Sequence, residues 1–150
     1  MLSVTFASMF VALFTANVLH AETPAQTRAR ALAAEGDTEM EKTSATTTYE
    51  ALTSDRDMAT DARTDCVDEG ATEAQMAAGD AELAAGDADK VTAAAALLSG
   101  NVGFSDGELH NIDAEIHWMN SEFIPAKADY LLAIINFEAA DTQYAASVRV

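Results

Sequence analysis

LHNIDAEIHWMNSEFIPAKADYLLAIINFEAADTQY, residues 109–144, repeats large apolar side chains at intervals of three and four. Leu109, Ile112, Ile116, Met119 and Phe123 make one stripe, and its phase continues through Ala126, Tyr130, Ala133, Phe137, Ala140 and Tyr144. Such spacing lines one face of an α-helix. Leu131, Ile134 and Ile135 broaden that face, while Asp113, Glu115, Glu122, Asp129 and Asp141 take the opposite side. Pro125 lacks a backbone donor and crowds the turn before it. The stretch is therefore either one long amphipathic helix kinked near Pro125 or two helices meeting near Ile124. Leu109, Ile112, Ile116, Met119, Phe123, Tyr130, Phe137 and Tyr144 are the predicted packing or interaction positions.

Upstream, Asn101–Gly107 reads as a loop, with Ser105 and Glu108 spaced as a capping box. Val91–Leu98, VTAAAALL, is a good helix former. Before it, AAGDAEL at 77–83 and AAGDADK at 84–90 repeat at seven residues, the coiled-coil period. Their alanines allow another helix to approach closely, although Gly79 and Gly86 each weaken a helix by about 1 kcal/mol. Leu52–Glu69 is helix-compatible and very acidic. Thr43–Thr48, TSATTT, clusters β-branched and hydroxyl residues and reads as a turn or linker. Thr23 followed by Pro24 suits a helix start, a capping hydroxyl and then a residue whose missing N–H costs nothing.

The predicted fold is all-α: a small antiparallel helical hairpin or bundle with a long C-terminal amphipathic helix. Its stripe needs a partner surface, either the Ala-rich segment 71–98 or a second copy of the same helix. Residues 43–69 offer little apolar support and are expected to be partly mobile. With 150 residues the chain has room for one domain, 22–150, after a distinct N-terminal segment.

That segment, LSVTFASMFVALFTANVL at 2–19, holds no charged residue. It reads as a signal peptide ending at Ala21, or as a retained anchor, since eighteen residues come close to spanning a bilayer. Either reading implies export, to a periplasmic or extracellular location, and the second implies membrane association through residues 2–19.

The net charge is −17, from 25 acidic and 8 basic residues. Such a surface repels nucleic-acid phosphates and anionic headgroups, so no nucleic-acid partner is expected. It suits cationic ligands, loosely held divalent ions or a salty medium. Cys66 is the only cysteine, which excludes an intrachain disulfide; burial as a small apolar residue is its expected state.

Site motifs are absent. His110 and His117 share a helix face with Asp113 but stand about 10.5 Å apart along the axis, too far to share one ion comfortably. Calcium-loop spacing fails around Gly70, where Val67 and Met76 fall on ligand positions, and around Gly107, where Val102 and Phe104 do. There is no GxSxG, SxxK, HExxH or glycine-rich phosphate loop. No catalytic residue, cofactor or metal ligand is predicted, and an enzyme is the weaker reading.

SDGEL at 105–109 and KADYLLAIINFEAADTQY at 127–144 together resemble a periplasmic helix of outer-membrane efflux channels. The resemblance spans less than a third of the chain, which is also too short to form such a channel protein. The expected function is an exported acidic helical accessory protein that mediates protein–protein assembly, with a protein partner or with itself. The alternative is a binding module for cationic ligands or divalent ions.

Overall fold

Thr23 opens the first helix as expected. Its hydroxyl accepts from the Gln26 N–H, and the Gln26 side chain reaches back to the Thr23 N–H. In the computed structural model, which describes residues 22–149, α1 spans Pro24–Asp68, α2 Glu73–Met119 and α3 Phe123–Val148. Together they form an all-α three-helix bundle with no strand among the described residues. Arg28 meets Glu115, Glu35 meets Asn111, and Arg56 meets Asp87, so α1 and α2 run antiparallel. Tyr130 meets Glu115 and Tyr144 meets Asn101, so α3 turns back along α2.

Both connections are tight helix stops. After α1, the Ala71 N–H bonds to the Cys66 carbonyl and the Gly70 N–H to that of Val67. Gly70 takes φ +81, the left-handed geometry that such a stop needs and that glycine adopts without strain. Thr72 and Gln75 then repeat the capping box of Thr23 and Gln26. After α2, Glu122 bonds back to His117 and Ser121 to Trp118 in the same pattern. Here Ser121 occupies the left-handed region at φ 62. The chain thus forms two helices in place of one bent helix, and Pro125 sits in the first turn of α3, where no backbone donor is needed.

Two predicted interruptions are helical. Thr43–Thr48 lies inside α1 because Thr43, Thr46, Thr47 and Thr48 each donate their hydroxyl to the carbonyl four residues back. Satisfied this way, the hydroxyls no longer compete with the helix. Asn101–Gly107 lies inside α2, so Ser105 caps nothing.

The predicted stripe is split by the turn. In α3 its phase is the core phase: Ala126, Tyr130, Ala133, Phe137, Ala140 and Tyr144 are buried. In α2 the buried residues are Ala93, Gly100, Phe104, Gly107, Asn111 and Ala114, whereas Leu109, Ile112, Ile116 and Met119 face outward. Ring size explains the choice. A Cβ on Gly107 would stand 2.5 Å from the Phe137 ring, and one on Gly100 2.5 Å from the Tyr144 ring. The aromatic side chains of α3 occupy notches that only glycine leaves open, so the small residues of α2 form the seam. Phe104 packs on Phe137 with centroids 5.6 Å apart. Each of the buried large side chains contributes roughly 1.5–3 kcal/mol.

At 1.5 Å per residue, α3 extends about 39 Å along an α1–α2 hairpin of about 70 Å. From Thr46 to Thr92 no residue is buried. Cys66 lies there and is exposed, contrary to its expected burial.

The expectation of membrane association or a membrane-anchored location is overturned for the described chain: none of its helices is long and apolar enough to cross a membrane. Residues 2–19, the proposed signal or anchor, lie outside the described residues.

Candidate functional site

Helix α2 is apolar on two sides. At about 100° per residue, the core positions Gly100, Phe104, Gly107, Asn111 and Ala114 lie opposite Leu109, Ile112, Ile116 and Met119. Those four are 59, 56, 47 and 74 % exposed, and Phe123, at the start of α3, is 46 % exposed. Ile124 beside it is also exposed, as are Leu98 and Val102 further back on the same face of α2. A surface helix normally keeps one apolar face, toward its own core. An outward row of this length is the kind of patch that marks a contact with another molecule. Of the predicted interaction residues, Tyr130, Phe137 and Tyr144 are consumed by the bundle interior, and Leu109, Ile112, Ile116, Met119 and Phe123 remain available.

The patch is held rigidly from behind. Arg28 of α1 donates Nε to Glu115 Oε1 at 2.6 Å and Nη2 to Oε2 at 2.9 Å. Tyr130 of α3 donates its hydroxyl to Glu115 Oε1 at 2.7 Å, so this carboxylate ties all three helices. Arg28 holds the Glu115 carboxyl below its ordinary range. Burial, reinforced by Glu115, pushes the Tyr130 phenol up to about 12. The Arg28 guanidinium also lies 5.2 Å over the Trp118 ring, which in turn packs edge-on against Phe123 at 5.0 Å. With its oxygens engaged by these donors, Glu115 is a structural clasp.

His117 closes the turn beside the patch. Its Nδ1 lies 2.6 Å from Glu122 and its Nε2 3.6 Å from Asp129. The hydrogen bond to Glu122 raises the imidazole pKa, with Asp129 and Asp113 adding to it. A raised folded pKa means that this pairing supports the fold fully below the unfolded value near 6.5 and is lost as pH rises through the folded value. An NMR titration of His117 is expected to give a midpoint above about 6.5, moved down in Glu122→Gln. A wild-type midpoint at or below the ordinary histidine value would contradict the pairing. His117 therefore turns toward Glu122 and Asp129, away from a site shared with His110. Among the described residues no group of three or more His, Cys, Asp or Glu is arranged to hold a metal ion.

A second feature lies at the other end of the hairpin. Leu52, Ala59, Cys66, Met76 and Leu83 line a groove of about 400 Å³ between α1 and α2, with Gly79 and Gly86 at its floor. The seven-residue repeat read from the sequence supplies both glycines and Leu83. The groove itself was not legible, because it depends on α3 covering only half of the hairpin. Comparison with protein-family models, with curated proteins and with solved structures gives no match for this chain.

Proposed function

We propose that this protein is an acidic helical assembly factor, which docks on another protein through the outward face of α2 and the start of α3. The observation that carries the proposal is the exposed row Leu109, Ile112, Ile116, Met119 and Phe123, set opposite the core seam of the same helix. Ordering costs are already met within the bundle, since the Arg28–Glu115–Tyr130 clasp fixes the backbone beneath the row. A preformed face binds with less entropic loss than one that must order on contact. The charge of −17 favours a partner of another kind over a second copy, because two such chains repel. Acidic residues beside the row, among them Asp106, Asp113 and Glu122, would sit at the rim, where charge sets orientation and association rate more than affinity.

Photocrosslinking in the source cells tests this reading. A photoreactive side chain replacing Ile112 or Ile116 is expected to give one discrete adduct. The same group at Asp61, on the acidic half of α1, is expected to give none of that adduct. Equal adducts from all three positions, or none from the two isoleucine positions, would remove the assembly role from this face.

A further inference from the structure

Every seventh residue along the α2 seam is small: Gly79, Gly86, Ala93, Gly100, Gly107 and Ala114. The C-terminal half of this series is filled. The rings of Tyr144 and Phe137 occupy the notches at Gly100 and Gly107, and Tyr130 packs in one cluster with Ala114. On α3 these three aromatic residues are themselves seven apart, with Ala133 and Ala140 between them and Ala126 just before. Ala93 is buried as well, but the two remaining positions have the same form and no occupant: a Cβ built on Gly79 or Gly86 meets nothing within 4 Å. Those two notches floor the groove, which continues the trough that holds α3. Knob-and-notch spacing at seven residues is the register of packed helices, so the shape of the missing element follows from the half that is complete.

Charge narrows the occupant further. Residues 50–96 carry twelve acidic and three basic residues. At the groove, Arg56 is already paired with Asp87 and Arg63 with Asp80, while Asp55 and Glu82 add negative charge to its walls. A second copy of this hairpin would bring the same surplus against itself.

We infer that the groove between the far ends of α1 and α2 receives an α-helix of a partner protein, one with a large apolar side chain every seventh residue to enter the Gly86 and Gly79 notches, small residues between, and lysine or arginine along both flanks. The inference rests on the assembly reading but uses a surface separate from the Ile112–Ile116 face. The bound helix would extend the three-helix cross-section over the acidic half of the hairpin.

The test uses the full chain and a synthetic peptide of the residue 123–148 sequence with Asp129→Lys, Glu138→Lys and Asp141→Lys. This probe keeps the aromatic spacing and reverses the flanking charge. Because α3 already holds its own trough at high effective concentration, the open groove is the seat left for the peptide. Fluorescence anisotropy is expected to show saturable binding, weakened about tenfold or more in Gly79→Leu/Gly86→Leu, as when a buried aromatic loses its pocket. The unaltered acidic peptide should bind about tenfold more weakly or worse, and added salt should narrow that gap. Leucine at positions 79 and 86 meets open space, so the variant should keep its helix content and a Tm no lower than wild type. Ile112→Asp/Ile116→Asp should bind the peptide as wild type does, which separates this groove from the other face. Absence of binding, or binding untouched by the two leucines, would overturn the inference while leaving the photocrosslinking result to judge the α2 face. A wild-type dimer that dissociates in Gly79→Leu/Gly86→Leu would give the groove to a second copy and overturn it equally.

Discussion

Phe137→Ala is expected to lower the unfolding free energy by about 3–5 kcal/mol, the usual cost of emptying a buried aromatic site. Phe137 is fully buried, with its ring against Phe104 and in the notch of Gly107. Relaxation can recover little of the loss, because the facing residue is glycine and has no side chain to move into the space. Domains are typically stable by only about 5–15 kcal/mol, so this one truncation should remove a large share. Urea unfolding followed by helical circular dichroism measures it; a loss below about 1 kcal/mol would show that the ring does not fill a packed site.

Gly107→Ala is expected to destabilise and Gly86→Ala to stabilise, although both exchange a helical glycine for the best helix former. The shared propensity gain is about 1 kcal/mol. At Gly86 the new methyl meets nothing within 4 Å, so the gain is kept. At Gly107 it would stand 2.5 Å from one ring carbon of Phe137 and 2.6 Å from the next. The ring is enclosed, so it must leave its rotamer or push α3 away, at a cost of about 1–3 kcal/mol or more. The net loss should reach about 2 kcal/mol at the upper end of that cost once the propensity gain is deducted. Placing Gly107→Ala in the Phe137→Ala background should reverse its sign, since the methyl then enters the vacated space. That coupling between the two positions is the direct signature of a knob in its notch. Equal effects at Gly86 and Gly107 would mean that the glycines of α2 act through backbone propensity alone.

These notches also explain which parts of the molecule could be read from residues alone. Helical content, the Thr23–Pro24 start, a break near Pro125 and the inward aromatic residues of α3 all follow from local chemistry and three-and-four spacing. Asn101–Gly107 was misleading because glycine in isolation signals a loop. Here Gly100 and Gly107 are spaces for rings carried some forty and thirty residues later. The Leu109–Met119 row was misleading in the opposite sense: Leu109, Ile112, Ile116 and Met119 carry the strong three-and-four spacing, yet the seam runs along the other side of α2, through Gly100, Phe104, Gly107, Asn111 and Ala114. A sequence signal for the true seam did exist in the seven-residue spacing of Gly79, Gly86, Gly100 and Gly107, matched by that of Tyr130, Phe137 and Tyr144. Thr43–Thr48 departs from its local turn signal for another reason. Propensity penalises each residue by tenths of a kcal/mol, whereas a long helix already nucleated extends through them at small cost.

The same distinction bears on the candidate interaction site. Of the residues singled out by pattern, those in α3 find their partners inside the bundle, and those in α2 find none there. The unmet apolar surface is a property of the folded chain, visible only once the seam has been assigned to the small residues.

Native mass spectrometry of the protein from its source cells, wild type beside Ile112→Asp/Ile116→Asp, tests the outward face of α2 most directly. A wild-type assembly of fixed stoichiometry with a second kind of protein is expected, and a solitary variant chain of unchanged helix content. A wild-type chain that runs as a lone monomer, or an assembly that survives both aspartates intact, would contradict the assembly role of this face.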